Sequence, residues 1–102
     1  HNAWHNTLTL ADGTKVAVEL ATPGVSSPGM ENYLSMDNKA AEAMAKDLPM
    51  LIDDLQYCNL HQRGFLTLNV TNEEANATWH FVDAILTKDG KVSQTHSIIL
   101  KA

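Results

Sequence analysis

The sequence lacks a second cysteine, a long apolar run and a cluster of basic residues. Its 102 residues include one Cys, so neither a disulfide nor a cysteine-rich zinc site can form, and packing must hold the fold. No apolar stretch approaches the roughly 20 residues that span a bilayer, so we expect no membrane-spanning segment. Seven Lys and Arg stand against twelve Asp and Glu, for a formal net charge of -5. We therefore expect no nucleic acid partner.

The length of the chain suits one unit, a single domain or a fragment covering residues 1–102. The first residue is His1 rather than Met, and no charged segment followed by an apolar segment comes after it. We therefore expect a processed product or a fragment of a larger protein.

Alternating apolar residues predict strands at both ends of the chain. In the first twenty residues two alternating stretches flank Asp12 and Gly13, a dipeptide that readily adopts the positive φ angles of a tight hairpin. Near the C-terminus, strands are predicted at residues 65–70, 78–86 and 92–100. The middle one is apolar on both sides, as is typical of a central strand. A second tight hairpin is predicted at its end, at Asp89-Gly90.

Between residues 38 and 60 the apolar spacing becomes helical. Asp37 or Asn38 is expected to cap a first helix. Because proline is tolerated in the first turn of a helix but not in its interior, a second short helix is predicted to begin at Pro49. The buried stripe of this second helix would consist of Leu51, Ile52 and Leu55.

Together these elements predict an α+β fold, an antiparallel sheet of about five strands with two Asp-Gly hairpins and a two-helix insert. Residues 21–38 contain two Pro-Gly-type breaks, which predict a loop without regular structure. Thr71 and Glu74 have the spacing of a capping box, which predicts one helical turn.

Five histidines are the clearest candidates for metal or acid–base chemistry: His1, His5, His61, His80 and His96. None lies in a His-Glu-x-x-His helix, so structural or solvated roles are the first interpretation, with His80 and His96 on the polar face of their strands. Ser26 and Ser27 fit turn formation better than a nucleophile, because no Gly-x-Ser-x-Gly elbow surrounds them. Cys58 has no neighbouring cation and fits a small buried residue.

Four segments carry a family resemblance. Residues 1–4 read His-Asn-Ala-Trp, residues 18–29 end in Val-Ser-Ser-Pro-Gly, residues 62–65 read Gln-Arg-Gly-Phe, and residues 77–83 read Ala-Thr-Trp-His-Phe-Val-Asp. In this order they resemble the motifs at the C-terminal end of the alkaline phosphatase D family of metallophosphatases. The first is similar to the end of that family's Gly-Asp-x-His-x-x-Trp motif, although the Gly-Asp is missing here.

The resemblance implies a parent enzyme, periplasmic or secreted, that hydrolyses phosphate esters with the help of iron and calcium. It also implies that His1 is a metal ligand and that the other ligands lie in the remainder of the catalytic domain, the expected partner of this chain. The chain would then be inactive alone and would expose an apolar patch larger than a few hundred Å². His5 departs from the family, which usually carries a small residue there, and its role stays open.

Other interpretations remain beside this one. His1 is alternatively a tag remnant or a cleavage scar. A small secreted copper-binding module is the alternative function, in which the α-amine and imidazole of His1 chelate Cu(II) with His5 or His96. A pure interaction module is a third interpretation.

Overall fold

The computed structural model describes all 102 residues, which form six strands and two helices. The elements in chain order are β1 (Ala3–Thr9), β2 (Lys15–Ala21), α1 (Met30–Tyr33), α2 (Asn38–Leu51), β3 (Leu55–Asn59), β4 (Arg63–Val70), β5 (Glu74–Val82) and β6 (Val92–Lys101).

The strands form two antiparallel sheets of three strands each. Sheet A has the order β2-β1-β3 and sheet B has the order β4-β5-β6. The predicted antiparallel α+β class is confirmed, and β5 is a central strand as expected. The structure has six strands in two sheets, whereas one sheet of about five strands was predicted. The additional strand is β3, which forms where a second helix was expected and pairs with β1.

The two sheets meet around Trp79 of β5. Sheet B contributes the buried residues Ala77, Trp79 and Phe81, and sheet A contributes the buried Ala3. Alternate residues of β5 point to this junction, because successive side chains of a strand face opposite sides of a sheet. The partly buried residues packed around the junction are Leu20, Tyr57, Leu66 and Ile98.

Helix α2 covers the other face of sheet A. The carboxylate of Asp37 caps it, accepting a hydrogen bond of 2.7 Å from the amide of Ala40, as the sequence predicted. Met44 and Leu48 of the helix pack on a second cluster of buried residues. That cluster consists of Ala41, Leu55, Cys58 and Leu60. The molecule is therefore layered as helix, sheet A and sheet B.

Pro49 lies inside α2 and does not begin a second helix. The predicted buried stripe is wrong at Leu51 and Ile52, which are 78% and 45% exposed, while Leu55 is buried in β3. A proline has no N–H for the carbonyl four residues earlier, which here is Ala45. The thiol of Cys58 approaches that oxygen at 3.5 Å and donates to it instead.

The two predicted hairpins differ in outcome. β1 and β2 pair as predicted, with Gly13 at φ 88° and residues 10–14 as the connection. The second tight turn is wrong, because β5 ends at Val82 and residues 83–91 connect it to β6. Asp83 closes this connection, because its amide donates to the carbonyl of Lys91 at 3.0 Å and its carboxylate accepts a 2.8 Å hydrogen bond from the amide of Lys91.

Two local predictions are corrected by hydrogen bonds. The hydroxyl of Thr71 accepts from the amide of Glu74 at 3.2 Å, but this contact closes the β4–β5 hairpin and no helical turn forms. The loop predicted at residues 21–38 contains the four-residue helix α1. Its first residue, Met30, packs against the cluster under α2.

Candidate functional site

Two of the four resembling segments meet at the start of β1. We call residues 22–29 the Pro-Gly loop. Nδ1 of His1 lies 2.9 Å from Oγ of Ser27 in this loop. The buried Asn2 accepts a 3.2 Å hydrogen bond from the amide of Met30 at the end of the loop. The loop is therefore held against the residues that precede β1.

Backbone contacts fix the Pro-Gly loop from the other side. The amide of Gly64 in β4 donates to the carbonyl of Gly24 at 3.1 Å. The indole of Trp79 in β5 donates to the carbonyl of Ala21 at 2.8 Å, just before the loop. A Cβ at Gly24 would overlap Oγ of Ser27 in the rotamer that places this hydroxyl against His1. The fourth resembling segment thus anchors the loop as well.

A buried ion pair lies beneath the loop. Glu31 of α1 and Arg63 of β4 are 8% and 6% exposed and bind each other directly. Arg63 also donates to the carbonyl of His61 at 3.1 Å, and Asn32 donates to Glu31 at 2.9 Å. These hydrogen bonds offset part of the cost of removing the two charges from water. Oε2 of Glu31 and Nε of Arg63 have no hydrogen-bond partner in the chain.

Sequence reasoning missed this ion pair. Arg63 was noticed only as part of a resembling segment, and Glu31 was not singled out at all. The ion pair would be found from the burial of both charged side chains. That burial results from packing between residues 32 positions apart in the chain. A short stretch of sequence does not report such a contact.

A polar groove of about 740 Å³ opens beside the ion pair. Its lining includes the carboxylates of Glu31, Glu42 and Asp83 together with Arg63 and His61. Nε2 of His61 lies 3.5 Å from Oε1 of Glu42. His61 therefore lies between α2 and the groove. The sequence had predicted a structural or solvated role for it.

The histidines do not form one site. His1 is exposed and contacts the Pro-Gly loop. His96 lies at the junction of the sheets, stacked on Tyr57 with ring centroids 3.7 Å apart. His5 is the register partner of Tyr57 and therefore shares its face of sheet A. The structure thus places His5 and His96 at the same junction, both beside Tyr57, and leaves His1 elsewhere, an arrangement that differs from the chelate of the copper alternative.

Burial lowers the pKa of His5 and His96 below the usual 6.5, and charge on His5 lowers that of His96 further. His96 therefore corrects the expectation of a polar-face histidine. His80 meets that expectation, because it stacks on Phe65 at 4.7 Å and contacts the hydroxyl of Thr67 at 3.0 Å. Both histidines are structural in this arrangement.

Cys58 is buried as predicted, and burial raises the pKa of its thiol to about 11. A thiol with so high a pKa is a poor nucleophile and a poor metal ligand at neutral pH. No group of three or more His, Cys, Asp or Glu side chains is placed so that it could hold a metal ion. Within this chain His1 is the one sequence-predicted ligand, and only its Nδ1 is engaged.

Comparison with known proteins gives one match. The family model described as PhoD-like phosphatase matches residues 1–79. No curated protein and no solved structure matches the chain significantly. Neither helix of the structure has the length and apolar character needed to cross a membrane.

Proposed function

The chain belongs to the PhoD-like phosphatase family, and we propose that it is the C-terminal part of a secreted, metal-dependent enzyme that hydrolyses phosphoric mono- or diesters. In this proposal the chain completes the scaffold of the catalytic domain and contributes one metal ligand, His1. The observation that carries it is the convergence of the resembling segments around His1 and the Pro-Gly loop.

His1 fits the role of a metal ligand by its chemistry and position. Its ring is exposed, and its Nδ1 lies against the hydroxyl oxygen of Ser27. Ligating imidazoles commonly donate their other ring N–H to an oxygen. Imidazole suits iron, whereas calcium prefers oxygen ligands. Of the two metals that the resemblance implied, iron is therefore the one that we assign to His1. When bound, such a metal centre polarises the phosphoryl oxygens and activates a hydroxide.

The remaining ligands are assigned to the remainder of the catalytic domain, which we propose as the partner of this chain. The exposed surface supports this part of the proposal. The chain exposes 6800 Å², whereas a compact monomer of its mass exposes about 5,700 Å². Its radius of gyration is 14.7 Å, against about 13 Å for a domain of this length.

The excess surface includes apolar residues that continue the two faces of the sheet junction. Val16 and Val18 of β2 are 56% and 41% exposed, and Leu68 and Val70 of β4 are 54% and 65% exposed. Exposed apolar surface of this kind typically marks an interaction site. In the proposal, the rest of the catalytic domain packs on it.

Two experiments test the proposal. The isolated chain, supplied with iron and calcium, is expected to leave a chromogenic phosphodiester intact, and turnover would contradict the claim that it is inactive alone. The second is to read the residues encoded immediately before His1. Gly-Asp-x is expected there, since it would complete the Gly-Asp-x-His-x-x-Trp motif, whereas a signal-peptide cleavage site would favour the copper-binding alternative.

A further inference from the structure

We propose that Ser27 is a positioning residue for His1, accepting a hydrogen bond from Nδ1–H so that the lone pair of Nε2 is available to a metal. The inference rests on the proposed function, in which His1 is a ligand, and it assigns a role to a loop residue that has none in that proposal. The contact that carries it is the 2.9 Å separation of Nδ1 and Oγ.

The direction of this hydrogen bond decides what His1 can do. A neutral imidazole has one N–H and one lone pair, whereas a serine hydroxyl can donate or accept. If Ser27 accepts from Nδ1–H, the lone pair stays on Nε2, which has no other partner in the chain. If Ser27 donates to Nδ1, the proton sits on Nε2 and that nitrogen cannot ligate. The partner of one ring nitrogen thus sets the role of the other.

The Pro-Gly loop is built to hold this hydroxyl in place. Gly24 leaves the space that Oγ of Ser27 occupies, and the beginning of the side chain of His1 is 3.3 Å from where a Cβ at Gly24 would stand. The carbonyl of Gly24 is itself bound to the amide of Gly64 in β4. The loop is therefore attached to sheet B three residues before Ser27, and the hydroxyl of Ser27 in turn contacts the ring of His1.

The neighbouring serine provides a matched comparison. Ser26 is exposed and has no side-chain hydrogen bond to His1. Its substitution changes the same kind of residue in the same loop while leaving the contact intact. A general loosening of the loop would affect both variants, whereas a specific effect on His1 requires Ser27.

The first test measures the tautomer directly. Long-range proton–nitrogen NMR of the metal-free chain, labelled in its histidines and held above their titration range, is expected to show His1 protonated at Nδ1. Ser27→Ala should shift the population toward Nε2–H, the form that predominates when nothing holds the ring. Ser27→Thr should keep the wild-type pattern, since its hydroxyl also accepts, and Ser26→Ala should change nothing.

The proposal is overturned if His1 of the wild type carries its proton on Nε2, or if Ser27→Ala leaves its tautomer unchanged while the amide spectrum shows an intact fold. This readout needs neither metal nor activity, so it separates the role of Ser27 from the proposed function.

A second measurement addresses the metal itself. In the enzyme assembled with its remaining catalytic domain, iron affinity should fall about 10- to 100-fold for Ser27→Ala, the usual effect of losing such a supporting contact. Ser26→Ala should retain the wild-type affinity. Unchanged affinity despite a shifted tautomer would overturn the positioning role. Failure of His1→Ala to weaken iron binding would instead contradict the proposed function, leaving the tautomer result in place.

Discussion

At the scale of single residues, the buried charges of Glu31 and Arg63 are the most consequential feature. Each would be strongly unfavourable alone, because removing a charge from water costs several kcal/mol even after relaxation. Their ion pair links α1 to the first residue of β4. It therefore joins the Pro-Gly loop region to sheet B, although the two residues are distant in sequence.

Substitution of Arg63 by Met should destabilise the chain by about 3–5 kcal/mol, because it leaves the carboxylate of Glu31 buried without its partner. The double variant Glu31→Leu/Arg63→Met should recover most of that loss, since no charge then remains buried. Urea unfolding followed by circular dichroism measures both. Equal destabilisation of the single and double variants would show that packing, rather than the unpaired charge, dominates.

Gly64 is a position where the packing of two strands requires a residue without a side chain. A Cβ there would overlap the backbone carbonyl of His80 on the adjacent strand. We expect Gly64→Ala to cost about 1–3 kcal/mol, as overpacking does elsewhere. Gly13→Asn is the comparison, because Gly13 has open space around it and its φ of 88° strains Asn less than it strains most other residues. Thermal unfolding of the two variants makes the comparison, and a milder effect at Gly64 than at Gly13 would contradict the steric argument.

At the scale of elements, the local sequence pattern predicted correctly those elements whose conformation depends mainly on their own residues. The Asp-Gly turn of β1 and β2, the capped first helix and the central position of β5 are of this kind. It failed at β3, whose strand conformation depends on pairing with β1, some fifty residues earlier. It failed also at Pro49, since the acceptor left by the missing N–H is satisfied by Cys58 from another element.

The thiol of Cys58 should consequently react slowly in the folded chain. Its pKa rises from 9.0 to about 11, so its thiolate fraction at pH 7.5 falls about 100-fold, and the thiolate is the reactive form. Alkylation by iodoacetamide should therefore be at least about 100-fold slower in buffer than in denaturant. Rapid alkylation of the folded chain would show that the contact between Cys58 and Ala45 opens readily.

At the scale of the whole molecule, the layered arrangement explains why the site was only partly predictable. The sequence resemblance pointed to His1, and the fold placed it beside Ser27 of the Pro-Gly loop. The loop is in turn bound to β4 through Gly64, and the ion pair joins α1 to β4, so the surroundings of His1 depend on contacts between segments distant in sequence. The same packing places His5 of β1 and His96 of β6 at one junction, where both lie against Tyr57, and neither strand pattern indicates this.

The junction of the sheets should make stability depend on pH. Burial lowers the pKa of His5 and His96 below 6.5 in the folded chain, so the unfolded chain binds protons first as the pH falls. The free energy of unfolding should therefore level off only about one unit above pH 6.5, where the unfolded imidazoles are also neutral, and should decrease as the pH falls through 6.5. The facing titratable group is Tyr57, whose pKa is raised by burial and which supplies no negative charge at acid pH.

Replacing both histidines, as His5→Gln/His96→Phe, should flatten this dependence between about pH 5 and 6.5, because the double variant has no imidazole at the junction to titrate. The phenyl ring at position 96 keeps an aromatic partner for Tyr57. His80→Phe is the matched control, since His80 lies on the outer face of sheet B. Urea unfolding at a series of pH values gives the slopes. If the double variant and the control lose stability equally in acid, groups other than the two junction histidines carry the effect.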